Sequence, residues 1–196
     1  MMAEGADEQD REDMARLCAG HHAALNSIMT RHAERLFNYL LRQLADESDA
    51  SDLAQETFVR VYQHGARFDP SQKFSTWLYA IATNLLRDRF RWRSRHPEVS
   101  LDVESEQGGA LLDTFTLDAP SPGERLVAQE RAAEVRKAVE SLPEELRTPL
   151  ILSQYEELSH AEIAAVLKCS AKAVETRLYR ARAHLRKRLD KVLDEH

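Results

Sequence analysis

The chain has 196 residues, of which 43% are hydrophobic and 31% are charged, values that are ordinary for a soluble globular protein. Its length suits one large or two small domains. No apolar run approaches the roughly 20 residues of a membrane-spanning helix, and the first residues lack the basic and apolar regions of a secretory signal. We therefore expect a cytoplasmic protein that does not insert into a membrane.

The net charge of −6 opposes nucleic-acid binding only if the charge is spread evenly along the chain. Residues 1–13 are rich in acids, and residues 98–124 contain acids but no Lys or Arg. Basic residues concentrate in 87–95 and in 177–191. Because the relevant fields are local, an acidic chain with two basic stripes is expected to have two kinds of partner.

The cysteines and histidines predict neither a disulfide nor a metal site. Cys18 and Cys169 fall in different predicted segments, which argues against a disulfide framework. Cys18 has histidines nearby, but their spacing matches no closed zinc pattern. The sequence also lacks a P-loop, a dinucleotide fingerprint, an HExxH motif and a nucleophile elbow. We therefore expect no metal, no cofactor and no catalytic residues.

An all-α fold of two small helical domains joined by a flexible acidic linker is predicted from the periodicity. Residues 1–13 lack periodic apolar positions and are expected to form a flexible acidic tail. Residues 14–96 form the first helical domain. Periodicity fails over 97–123, where Gly, Pro and Ser accumulate among the acids, so this stretch is the linker. Residues 124–196 form the second domain.

Two segments of the first domain carry unusual charge. In ESDASDLAQETFVRVYQHG the acids Asp49, Asp52 and Glu56 fall on one helical face with Gln55 beside them. The helix dipole explains acids in the first turn but not Glu56. In FSTWLYAIATNLLRDRFRWRSRH a largely cationic face is interleaved with aromatic residues, a combination that suits single-stranded nucleic acid. Taken alone, Trp77 is more often a core residue.

The second domain ends in a predicted helix-turn-helix. Ser159 and Glu162 have the spacing of a capping box, and Ser170 is a second candidate N-cap. After the turn, an apolar stripe predicts a second helix whose opposite face could reach base edges in a major groove. The alternative interpretation of that face is an ordinary solvated surface. Lys168 stands where Gly is common, so a left-handed turn there would cost modest strain.

The chain resembles bacterial sigma factors of the extracytoplasmic-function group within the sigma-70 family. The resemblance rests on three stretches in family order, DASDLAQETFVRVY, KFSTWLYAIATNLLRDRFR and LPEELRTPLILSQYEELSHAEIAAVLKCSAKAVETRLYRARAHLRKRL. It implies a region 2 domain that docks on polymerase and opens the minus-ten element, and a region 4 domain that reads the minus-thirty-five element. It implies three partners: core RNA polymerase, promoter DNA, and an anti-sigma factor or other regulator.

The resemblance also implies roles for individual residues. The polymerase contact would be formed by Asp49, Asp52, Gln55 and Glu56. The minus-ten contacts would be formed by Phe68, Lys73, Trp77, Asn84, Arg87, Asp88 and Arg91. The minus-thirty-five contacts would be formed by Glu175, Thr176, Tyr179 and Arg180, with Lys172 and Arg177 on phosphates. Ser51 stands where the family commonly has Glu, and since acids remain around it we expect docking without phosphorylation.

The alternative function is a one-component regulator that binds duplex DNA through the second domain and senses a ligand with the first. Such a sensor needs an apolar pocket, whereas the aromatic residues here lie beside arginines. An enzyme is a third possibility, for which the motifs offer little support.

Overall fold

The computed structural model describes the backbone of residues 2–96 and 122–194, and the side chains of residues 5–96 and 131–190. Every regular element in these ranges is helical, which confirms the predicted all-α class. The predicted linker, residues 97–123, lies almost wholly outside the described residues. None of the described helices combines the length and apolar character needed to cross a membrane.

The helices form an N-terminal unit, residues 2–96, and a C-terminal unit, residues 122–194. The N-terminal unit contains α1 (Met2–Cys18), α2 (Ala24–Leu44), α3 (Glu47–His64), a 3-10 turn (Gly65–Arg67) and α4 (Phe74–Arg95). The C-terminal unit contains α5 (Pro122–Glu140), α6 (Glu144–Gln154), α7 (His160–Leu167) and α8 (Ala171–Asp194).

The core of the N-terminal unit is built by the apolar stripes of α2, α3 and α4. Leu36 and Leu40 of α2 are fully buried, as are Phe74 and Leu78 of α4. A buried hydrogen bond of 2.8 Å joins the Tyr39 hydroxyl to the Thr83 hydroxyl, so these two polar groups inside the core are paired. The buried side chains position α3 and α4 side by side, with their polar faces outward.

The core of the C-terminal unit depends on α6, α7 and α8. Leu152, Ile163 and Val174, one from each helix, are fully buried. Pro143 is the N-cap residue of α6, and Pro149 lies inside α6 without ending it. The buried residues that follow Pro149 hold the rest of the helix in place. These contacts fix α7 and α8 as a helix-turn-helix.

The acidic N-terminus is helical, which corrects the prediction of a flexible tail over residues 1–13. Asp10 and Asp13 are only 1% and 4% exposed. Arg31 of α2 donates from Nε to Asp10 (2.9 Å) and from Nη2 to Asp13 (2.7 Å). His32 Nε2 lies 2.8 Å from the other oxygen of Asp10. Because these acids pair with polar side chains on another helix, apolar periodicity could not reveal that α1 packs against α2.

The two units also pack against each other, α4 against α7 and α2 against α6. The sequence predicted two domains joined only by a linker and did not predict this contact. Its polar part joins carboxylates of the C-terminal unit to cations of the N-terminal unit, as in the pair Lys73–Glu162. Ion pairs between distant segments leave no periodic signal in a single sequence.

We predict that Asp10→Ala lowers the free energy of unfolding by about 2 kcal/mol, because it leaves the partly buried Arg31 without that carboxylate. Burial alone would raise the pKa of Asp10, but hydrogen bonds and charge from His32 and Arg31 outweigh it and lower that pKa. The stabilisation is therefore present above about pH 4 and is lost as the pH falls through the lowered pKa.

Urea unfolding at neutral and acidic pH measures both effects. Glu12→Ala, on an exposed position of the same helix, is the matched control. Equal stability losses in the two variants at neutral pH would contradict the role given to Asp10.

Candidate functional site

The outward face of α3 carries three of the four predicted docking residues. Asp46 caps the helix by accepting a hydrogen bond from the Asp49 backbone N–H (2.8 Å), which orients the first turn. Asp52 and Gln55 are exposed. Glu56 is partly exposed, and it accepts a 2.7 Å hydrogen bond from Arg60 one turn later. The structure therefore groups these three polar side chains on one accessible surface.

Asp49 lies apart from that surface, although the sequence placed it there. Its side chain is 15% exposed and turns toward α4. One of its oxygens lies 3.1 Å from Arg89 Nη1, and the other accepts a hydrogen bond from Arg93. Asp49 therefore joins α3 to α4. The sequence could not show this, because the paired arginines are about forty residues away and belong to a face taken as nucleic-acid binding.

A groove of about 750 Å³ runs between α3 and α4 beside the docking face. Carboxylates of Asp52, Glu56 and Asp88 line it together with Val59 and Trp92. Val59 and Trp92 are 45% and 46% exposed, so the groove offers apolar surface bordered by acids and by Arg60 and Arg89. Sequence reasoning missed Val59. Val59 could have been recognised from the sequence, because it lies one turn after the acidic residues of an amphipathic helix and therefore on the same face.

Three aromatic rings cluster where the loop after α3 meets the start of α4. Phe68 lies 5.4 Å from Trp77 and 5.8 Å from Phe74, measured between ring centroids. Phe74 is fully buried, whereas Phe68 and Trp77 are partly exposed. The pair Phe68 and Trp77 is thus held in place by the core and still offers ring surface to the outside, as base stacking requires.

The predicted minus-ten residues of α4 share one broad face of the helix, but they differ in accessibility. Asn84, Asp88 and Arg91 are exposed, and Arg91 forms an ion pair with Asp88. Lys73 and Arg87 instead lie beside the C-terminal unit. The Lys73 ammonium is 2.9 Å from Glu162, and Arg87 Nε is 3.9 Å from Glu144.

The helix-turn-helix has the predicted local chemistry. Ser159 accepts from the Glu162 N–H (3.3 Å), and the Glu162 carboxylate accepts from the Ser159 N–H (2.7 Å), which confirms the capping box. Lys168 adopts a left-handed conformation, with φ of 53°, so the modest strain of such a turn at a non-glycine residue applies here. Ser170 accepts from the Ala173 N–H at 3.2 Å, which starts α8.

The exposed face of α8 brings together most of the predicted minus-thirty-five residues. Tyr179 is 74% exposed, and Thr176 and Arg180 are exposed beside it. Lys172 forms a 2.8 Å ion pair with Glu175 along the same face. These side chains form a continuous polar and basic strip on the helix.

Arg177 is the exception on α8. It is only partly exposed, and its guanidinium donates to Cys169 Sγ (3.6 Å) in the turn before the helix. The contact holds Arg177 to the side of the strip.

Comparisons with known proteins agree with this division into two units. Residues 28–96 match the family model described as Sigma-70 region 2, and residues 132–185 match the one described as Sigma-70, region 4. The chain is 33% identical over 189 residues to the RNA polymerase sigma-H factor of Pseudomonas aeruginosa, an alignment that covers 96% of this chain and 97% of that protein.

Two further proteins are similar over most of the chain. The ECF RNA polymerase sigma factor SigW of Bacillus subtilis is 34% identical over 172 residues, which are 87% of this chain and 91% of that protein. The solved structure of CnrH in complex with the cytosolic domain of CnrY aligns with a TM-score of 0.67 and 28% identity. That alignment covers 93% of this chain and 98% of CnrH.

Proposed function

The chain belongs to the extracytoplasmic-function group of sigma-70 factors. We propose that one of its surfaces binds core polymerase and two others bind the two promoter elements. It is a transcription initiation factor that binds core RNA polymerase and directs it to promoter DNA. Residues 14–96 are the region 2 domain, residues 97–123 the linker and residues 124–196 the region 4 domain. The factor acts in the cytoplasm and contributes no catalytic residue of its own.

The groove between α3 and α4 docks on core polymerase. Asp52, Gln55 and Glu56 supply polar and charged contacts, while Val59 and Trp92 supply apolar area at its centre. An interface of this composition fits a helical partner that carries basic and aliphatic side chains, because charge complementarity steers association and apolar area adds affinity. Asp49 supports this surface indirectly by holding α3 on α4. Docking needs no phosphate on Ser51.

The exposed face of α4 opens the minus-ten element. Phe68 and Trp77 stack on unpaired bases, and Asn84, Asp88 and Arg91 contact the same strand by hydrogen bonds and charge. Lys73 and Arg87 extend the cationic surface along the backbone. Stacking offsets the cost of a few kcal/mol for unstacking each base, so binding favours the open strand.

The exposed strip of α8 reads the minus-thirty-five element. Glu175, Thr176, Tyr179 and Arg180 face the bases, while Lys172 and Arg177 contact phosphates. The observation that carries the whole proposal is that α4 and α8, one in each unit, both expose a polar and basic face while burying the opposite one. A bipartite promoter requires two such faces on one chain.

An inhibitory protein partner is also proposed. CnrH, which is 28% identical to this chain, was solved in complex with the cytosolic domain of CnrY. We propose that a protein of that kind regulates this factor.

Transcription reconstituted with purified core polymerase tests the function as a whole. We expect the chain to make core polymerase start at discrete sites on genomic DNA, with two sequence blocks upstream of each mapped start. The one-component alternative instead requires operator binding without polymerase and no effect on where core polymerase starts.

We predict that Glu56→Arg weakens binding to core polymerase about tenfold, because it reverses a charge on the docking face. Folding should be retained, since the pair Glu56–Arg60 is exposed and such pairs contribute little stability. Fluorescence titration of core polymerase measures the affinity. Glu145→Arg makes the same charge change at an exposed position of α6 and serves as the control. Unchanged affinity in Glu56→Arg would remove this face from the interface.

We predict that Arg180→Ala weakens binding to minus-thirty-five duplex DNA about tenfold while core polymerase affinity stays the same, because an exposed arginine can form a bidentate contact with guanine. The duplex carries the minus-thirty-five element of a promoter whose transcription start has been mapped. Arg188→Ala, exposed on the other side of α8, is the control. If Arg180→Ala weakened binding to both DNA and core polymerase, the variant would be misfolded. Unchanged affinity of this variant for the duplex would contradict the role given to Arg180.

A further inference from the structure

The two rings proposed to stack on minus-ten bases, Phe68 and Trp77, rest on a third ring. Phe74 is fully buried, and its ring centroid lies 5.8 Å from that of Phe68 and 6.0 Å from that of Trp77. These separations, with edge-on or tilted planes, are those of favourable aromatic contacts. The position of the exposed pair therefore depends on where Phe74 is held.

A histidine of α2 contacts the same buried ring. The imidazole centroid of His32 lies 5.0 Å from the Phe74 centroid, with the two planes inclined at 54°. The His32 side chain is only 16% exposed, so neighbouring atoms leave it little room to move. Phe74 thus contacts His32 and the exposed pair at the same time, and a shift of the imidazole would be passed on to the pair.

The imidazole is itself held by α1. His32 Nε2 lies 2.8 Å from Oδ2 of Asp10, and Asp10 is only 1% exposed. Arg31 Nε donates to the other oxygen of this carboxylate at 2.9 Å, which fixes the carboxylate plane. A side chain that is packed against a ring and also hydrogen-bonded to a fixed group is locked in one rotamer. His32 therefore links the position of α1 to that of Phe74.

The same helix packs on the start of the loop that carries the exposed pair, residues 65–73. A Cβ placed on Gly65 would lie 3.4 Å from Cys18 Sγ and 3.5 Å from Met14 Cε, so α1 lies directly against the backbone there. Gly65 begins the 3-10 turn after α3. α1 thus supports the loop at its first residue and, through His32, at the point where α4 begins.

We propose that His32 is a positioning residue for promoter opening. Its imidazole, anchored by Asp10, holds Phe74 in place. Phe74 in turn sets Phe68 and Trp77 for stacking on unpaired minus-ten bases. This inference rests on the minus-ten role proposed for that pair. Rings that are already in place bind bases more tightly, because no ordering cost remains to be met on binding. The acidic helix α1 thereby takes part in promoter opening through the core.

Two substitutions separate the ring of His32 from its hydrogen bond. His32→Gln can still donate to Asp10 but offers no ring to Phe74, whereas His32→Phe keeps a ring and loses the hydrogen bond. We expect His32→Gln to slow promoter opening severalfold and His32→Phe to stay close to the wild-type rate. Opening is measured with core polymerase and a promoter whose start has been mapped, from the fluorescence of 2-aminopurine in the minus-ten element. Affinity for core polymerase should be unchanged in both variants.

A control variant separates positioning from general stability. Asp13→Asn weakens the pair between α1 and Arg31 without touching His32, so it should lower stability in urea and leave opening unchanged. The sequence contains two tryptophans, so Trp92→Phe leaves Trp77 as the only fluorescent one. In that background the anisotropy of Trp77 in the free chain should fall with His32→Gln and not with Asp13→Asn.

The outcomes distinguish this inference from the function on which it rests. If the wild-type chain opened no promoter, the proposed function would be wrong and the role of His32 with it. If the wild-type chain opened the promoter and a folded His32→Gln opened it equally fast, only the role of His32 would be overturned. Circular dichroism establishes folding. Should His32→Gln not fold, His32→Leu, which fills the space without a flat ring, carries the same expectation.

Discussion

Helix α4 imposes the main physical constraint on this protein, because under the proposed function one helix must serve the core and the nucleic acid at once. Phe74, Leu78 and Leu86 are fully buried on one side, which fixes the helix against α2 and α3. The opposite side is thereby held outward with its polar and cationic groups. Asp49 strengthens the arrangement from α3 through Arg89 and Arg93. A rigid helix of this kind can hold bases that have left the duplex without first paying the cost of ordering itself.

The same cationic side of α4 attracts acids from elsewhere in the chain. The C-terminal unit supplies those acids, and the groove beside α3 stays open. The docking surface proposed for core polymerase and the contact between the units therefore lie on different faces of the N-terminal unit.

Local chemistry made much of this fold predictable. The capping box at Ser159 and the N-cap at Ser170 depend on residues only a few positions apart, and the structure confirms both. The apolar periodicity of residues 14–96 likewise predicted a helical domain. The exposed strip of α8 follows from the same helical periodicity.

Long-range polar pairing was not predictable from a single sequence. The acidic N-terminus looked like a tail because its contacts with Arg31 and His32 need no apolar repeat. Asp49 looked like a surface acid because its partners lie on another helix. The contact between the units was missed for the same reason. In each case the sequence shows the charge but not the partner that neutralises it.

The two native cysteines allow a direct test of how the two units pack, because Cys18 lies in the N-terminal unit and Cys169 in the C-terminal unit. Nitroxide labels on both permit pulsed electron paramagnetic resonance on the full chain. The packing of α4 against α7 and of α2 against α6 predicts one narrow distance distribution for the free chain. A broad distribution would contradict that packing.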